Sequence, residues 1–169
     1  TNSREIANNN IDDDANGFID DQKGWDFANS DKDPMDDNGH GTHVAGTIGA
    51  LGNNSKGVVG VNQTVKLMAV KFIGADGSGT NEGGAVALRY AADNGAKAIN
   101  MSFGGGSSGG AFQDAINYAF NKGVVLVAAA GNSGPCTNCI AFPGKAANVI
   151  AAGATDNTDT KASFSSTGP

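Results

Sequence analysis

Basic residues are scarce in this chain, cysteine is scarcer, and no long apolar run occurs anywhere along it. Eleven lysines and arginines face 17 aspartates and glutamates, for a formal net charge of −6. A basic face for nucleic acid is therefore not supported. The longest apolar stretches, such as Val124-Val125-Leu126-Val127-Ala128-Ala129-Ala130, are too short to span a bilayer, so no membrane role is expected. The two cysteines, Cys136 and Cys139, lack the further ligands that a zinc site needs. A redox Cys-x-x-Cys stands at the start of a helix, whereas this one stands in a loop. In a secreted protein this spacing gives a short local disulfide, with two reduced thiols as the alternative. Internal repeats and low-complexity tracts are also missing.

What remains describes a globular protein. Hydrophobic residues make up 39% and charged residues 17% of 169 positions, enough for one domain with a real core. The acidic charge is concentrated: residues 1–37 carry −8 and the rest of the chain +2. So dense a cluster either stays solvated or recruits cations. Within it, Asp12-Asp13-Asp14-Ala15-Asn16-Gly17-Phe18-Ile19-Asp20 fits the first part of an Asp-x-Asp-x-Asn-Gly calcium loop. Oxygens of Asp12, Asp14 and Asn16 can converge after the turn at Gly17, with the Phe18 carbonyl and Asp20 completing the set. The twelfth loop position is Lys23 rather than Glu, which excludes an EF-hand. A solvated acidic turn is the plain alternative.

From residue 40 onward, helix-like and strand-like segments alternate. Helices are expected over Thr42–Leu51, Glu82–Asn94 (stopped at Gly95) and Gly110–Lys122 (stopped at Gly123). Strands are expected over Val65–Phe72, Lys97–Met101, Val124–Ala130 and Val149–Ala152. The last two lack polar alternation, so both faces of each are expected to be covered. Helices between short apolar strands imply an α/β fold with a parallel sheet, whose sites form beyond the carboxyl ends of the strands.

The densest chemical signal is Asp36-Asp37-Asn38-Gly39-His40-Gly41-Thr42-His43-Val44-Ala45-Gly46-Thr47. His40 stands between glycines that lack a Cβ, so a substrate and a nucleophile can approach its ring. A helix base fixes the ring's position, as proton transfer requires. A lone histidine in such a turn is more often structural. Asn132, in Ala129-Ala130-Gly131-Asn132-Ser133-Gly134, follows a strand and can donate an amide hydrogen bond into a cleft, where acyl transfer needs a donor. Taken singly it is a turn asparagine before glycine.

Together these strings resemble the histidine and oxyanion motifs of the subtilisin-like serine proteases, and the resemblance runs from Glu5 to the end of the chain. It implies that His40 is the general base, His43 a structural neighbour, and Asn132 the oxyanion donor. Ile99–Gly105 and Ala75–Gly79 resemble the two edges that hold an extended peptide, which implies substrate contacts at Gly77, Ser78, Gly79, Ser102, Phe103 and Gly104. Ala129, Ala130, Gly131 and Ala141 resemble the walls of the primary side-chain pocket. No carboxylate marks its floor, so a large apolar substrate side chain is expected. Phe142-Pro143 matches a place where the family carries a cis peptide. Asp26, Asn29, Asp31 and Asp33 resemble a second calcium loop, and Asn54 part of a third.

The family's orienting aspartate, on a strand before the histidine, and its serine, in a Gly-Thr-Ser-Met-Ala string, do not occur in these residues. The expectation is therefore the internal part, 1–169, of one catalytic domain truncated at both ends, with an acidic calcium-loop region (1–37) and an α/β core (38–169). It would be inactive alone, derived from a secreted, monomeric endopeptidase acting on polypeptides, with structural calcium. A non-catalytic peptide-binding module and a calcium-binding structural fragment are the competing readings.

Overall fold

A computed structural model describes residues 2–105 and 109–168. The chain forms two compact units, Thr1–Gly83 and Gly84–Pro169.

In the first unit, residues 2–23 are a succession of turns in which carboxylates replace a backbone ladder. Glu5, 5% exposed, accepts the N–H groups of Asp14 and Asp20 at 3.1 and 2.9 Å. Strand β1 (Gly24–Asp26) follows and pairs in parallel with β2 (Ala69–Lys71), Gly24 facing Ala69 and Asp26 facing Lys71. Sequence periodicity did not announce β1, a three-residue strand inside the acidic stretch. The strand expected over Val65–Phe72 is shorter: only Ala69–Lys71 joins the ladder, and Val65, Leu67 and Met68 lie exposed outside it. Between β1 and β2 runs helix α1 (His40–Gly49), built from small residues, with none of its side chains buried.

The second unit holds the core. Helix α2 (Asn81–Asp93) enters it from the first unit. The Thr80 hydroxyl accepts the Gly83 N–H at 3.0 Å, and Glu82 lies in the first turn, so the N-terminus is capped by both means. At the other end Gly95 takes φ 86, with Gly95 N–H on Ala92 C=O and Ala96 N–H on Ala91 C=O. This is a Schellman ending. Helix α3 (Gly110–Asn121) stops the same way at Gly123, Val124 N–H reaching Ala119 C=O. Both stops were legible as glycines.

Strands β3 (Ala98–Met101), β4 (Val125–Ala129) and β5 (Ile150–Ala152) form a wholly parallel sheet in the order β3-β4-β5. Phe112, Ala115, Ile116 and Ala119 of α3, spaced along one helical face, pack with Met101, Leu126 and Ala128. Ile116 and Ala115 are wholly buried; a fully buried Ile contributes about 2–3 kcal/mol of transfer free energy. The expectation that β4 and β5 are covered on both faces is corrected here. In β4, Leu126 and Ala128 are buried while Val125 is 50% exposed, and every residue of β5 is exposed. An all-apolar strand carries no polar residue to mark which face is out. Among the described residues no helix is long and apolar enough to cross a membrane.

Candidate active site

His40 is the first residue of α1 and is exposed. The N-cap, Gly39, has no capping side chain of its own. Asp36 supplies the cap from further upstream. Its Oδ1 accepts the N–H groups of Asn38 and Gly39, both at 3.0 Å, and its Oδ2 accepts the Thr42 N–H at 2.7 Å and the Thr42 hydroxyl at 2.6 Å. The Thr42 hydroxyl and these N–H groups hold the Asp36 carboxyl far below the usual carboxylate range. His40 is thus set on a turn that one carboxylate pins at both ends. Asn38 extends the fixture: its amide donates to Ala75 C=O at 3.0 Å, tying this turn to the Ala75–Gly79 loop. That loop is a tight turn, Gly74 N–H meeting Ser78 C=O at 2.9 Å, with Gly79 bridged to Ile73. Gly77, Ser78 and Gly79 are all exposed. His43, also exposed, follows within α1, and its N–H donates to Gly39 C=O.

In the second unit Asn132 lies just beyond the carboxyl end of β4, exposed, and its amide has no hydrogen-bond partner among the described residues. The expected pocket walls come together beside it. Ala141 N–H donates to Ala130 C=O at 2.8 Å, and a Cβ built at Gly104 would come within 2.9 Å of the Ala141 Cβ. Gly105 N–H donates to Phe142 C=O at 3.1 Å, and the Phe142-Pro143 peptide is cis. Phe103 meets Phe112 edge-on, and Phe112 meets Phe142 in the same way, so aromatic packing fixes the base of both segments. The Ser102 hydroxyl accepts the Asn100 amide at 2.8 Å. Ala129, Ala130 and Gly131 continue β4 into the Asn132 turn. Cys136 and Cys139 are joined in a disulfide in the loop that follows.

The Subtilase family model matches residues 2–169. The chain belongs to the subtilase family. It is 46% identical over 145 residues to thermitase of Thermoactinomyces vulgaris, covering 86% of this chain and 51% of that protein. Subtilisin BL of Lederbergia lenta is likewise 46% identical over 145 residues, with 86% and 53% covered. Among solved structures, sphericase aligns with a TM-score of 0.74 at 39% identity over 83% of this chain and 50% of that one. The S41 psychrophilic protease aligns at 0.69 with 42% identity, over 75% and 44%. This subtilase chain spans about half the length of the curated relatives named here. Its fold is the α/β, subtilisin-like one that the sequence led us to expect.

The acidic loops of the subtilase chain differ from the expected ligand sets. Glu5, Asp12 and Asp14 each place a carboxylate oxygen within 4.8 Å of the others. Three anionic oxygens so close suit a hard divalent cation. Asp12 and Asp14 were expected there; Glu5 was not, because it lies outside any loop motif. Asn16 sits beside the group through its N–H, which donates to Asp12 and Asp14, while its side-chain amide donates to Asp21. Asp20 is turned away: it pairs with Lys32 at 2.7 Å and accepts the Asn9 and Asn10 N–H groups. The Lys32 contact is the main cause holding its carboxyl below the usual range.

The second loop is closed by a lysine. Asp26, 1% exposed, pairs with Lys71 at 3.0 Å and accepts the Ala28 N–H, the Asn29 N–H and the Asn29 amide. Lys71 also pairs with Asp37 at 2.6 Å. Burial works against the Asp26 charge, but these hydrogen bonds outweigh it and lower its pKa. Asp31 is spent on the Asp33 N–H, and Asp33 is exposed. Among the described residues the carboxylates of Asp26, Asp31 and Asp33 do not gather as one group, and the Asn29 amide donates to Asp26. Asn54 accepts the Lys56 N–H at 3.0 Å in an open loop that wraps a hollow of about 320 Å³ between Gly52 and Val59.

Proposed function

We propose that this subtilase chain is the middle of a catalytic domain that cleaves peptide bonds through a serine acyl-enzyme. His40 takes the proton from the nucleophilic serine and returns it to the leaving amine. Asn132 donates to the oxyanion. The Gly77–Gly79 and Ser102–Gly104 segments hold an extended polypeptide by its backbone, and Ala129, Ala130, Gly131 and Ala141 receive an apolar side chain. The aspartate and serine of the triad belong to parts of a longer, exported, monomeric protease. The observation that carries this reading is Asn132: an exposed amide with no described partner at the end of a parallel strand, in a chain that also bears His40 on a carboxylate-pinned turn.

The test uses both forms. The longer protein should label at one site with a serine-directed fluorophosphonate and give a burst on an activated ester, whereas the 169-residue chain should do neither. Stoichiometric labelling of the 169-residue chain would overturn the assignment of the serine outside it.

Calcium is proposed as a structural ion held by Glu5, Asp12 and Asp14, where it offsets the repulsion within residues 1–37. Binding to the folded state should raise the melting temperature in step with calcium concentration, the stabilisation reaching about 2.7 kcal/mol at a hundredfold excess over Kd. Asp12→Asn and Asp14→Asn keep an acceptor for the Asn16 N–H and should selectively shrink the calcium-dependent part. Equal gains in the variants and the parent would move the ion elsewhere, and no gain in any of them would remove it.

A further inference from the structure

Asn132 stands between two residues that a single serine holds. Ser166 is 4% exposed. Its hydroxyl oxygen accepts the Ser133 N–H at 3.1 Å, and its own N–H donates to Gly131 C=O at 2.9 Å. One position further on, Gly134 N–H donates to Phe164 C=O at 2.8 Å. The turn is thereby stitched to residues 164–166 on both sides of the asparagine. Gly131 runs at φ 106, where an L side chain is strained, and a Cβ there would lie 3.0 Å from the Ser166 hydroxyl oxygen. The platform is anchored in turn: Ser165, 1% exposed, accepts the Ala154 N–H at 3.0 Å just past β5.

No described group hydrogen-bonds the Asn132 amide, so what the fold holds is the backbone on either side of it, from which the side chain starts. An oxyanion donor acts only when it is already aimed at the place where charge develops. Small displacements of such groups are costly, because the geometry must be met within tenths of an ångström. We propose that Ser166 is a positioning residue: by holding Gly131 C=O and Ser133 N–H together it sets the direction in which Asn132 presents its amide. This rests on the reading of Asn132 as oxyanion donor. A serine that merely satisfied a buried N–H would change stability and leave the rate of the folded enzyme alone.

The experiment is a double-mutant cycle in the longer protease containing this chain, with kcat and KM read on a peptide ester. Ser166→Ala should lower kcat about tenfold, a part of the roughly 100- to 1000-fold that a whole oxyanion donor carries, with KM nearly unchanged. In an Asn132→Ala background the same change should lower kcat by less than about twofold, since there is no amide left to aim. Ser166→Thr, which retains the hydroxyl, should restore most of the rate. Should Ser166→Ala not fold, Ser166→Cys, whose thiol accepts the Ser133 N–H more weakly, should show a smaller loss of kcat with the same dependence on Asn132. If the loss is equally large in both backgrounds, or kcat is untouched while the melting temperature falls, Ser166 does not act through Asn132. If Asn132→Ala itself leaves kcat intact, the oxyanion assignment is what fails.

Discussion

In the proposed protease, His40→Ala should abolish nearly all turnover, with KM little changed. Triad members in subtilisin are worth about a millionfold in kcat, which sets the scale, and the residual rate comes from binding and the oxyanion hole. The structure offers no substitute base on this turn. Asp36 is the nearest acidic group by its contacts, and four hydrogen bonds already occupy its carboxylate. His43 follows three residues later on the same helix, roughly 4.5 Å along its axis. His43 is exposed in this chain, so His43→Ala should change the rate little and the stability little. The measurement is kcat at saturating substrate for both variants, with folding followed by circular dichroism. Loss of turnover in a folded His43→Ala protein, with His40→Ala still active, would reverse the assignment.

Asn132→Ala should lower kcat by about 100- to 1000-fold while leaving KM nearly intact. The split follows from the chemistry. A neutral carbonyl gains little from the amide, whereas the tetrahedral oxyanion gains a charge-assisted hydrogen bond, so the loss falls on the transition state. Because the Asn132 amide is exposed and unpartnered among the described residues, its removal should barely alter the melting temperature. A large rise in KM at constant kcat would instead make Asn132 an ordinary substrate contact.

The second unit was largely legible because its signals are local. The spacing of Phe112, Ala115, Ile116 and Ala119 marks a helical face, and Gly95 and Gly123 mark the ends. The acidic segment resisted reading for the opposite reason. Glu5 binds Asp20 N–H fifteen positions away, and Lys71 closes a loop that begins at Asp26, so no window of sequence shows either partner. Candidate site residues with a motif around them, His40 and Asn132, could be proposed from sequence. Their long-range neighbours could not: Ser166 accepts the Ser133 N–H across 33 positions. Asp36 did leave a trace, an acidic residue shortly before a glycine-flanked helix start, but that trace is shared with many surface turns.

Lys71 carries a consequence for the environments this chain tolerates. A tethered ammonium beside Asp26 and Asp37 does the work of a cation that cannot be chelated, diluted or exchanged. The Glu5, Asp12 and Asp14 group is countered by Arg4, which pairs with Asp14 at 3.0 Å from a mostly exposed side chain; three carboxylates against that one guanidinium would leave the shape of the group to follow the supply of free ion. One stretch of like-charged residues thus contains two regimes. Fresh water, or a medium stripped by a chelator, would loosen the turns of residues 2–20 first, while the junction of β1 with β2 kept its form.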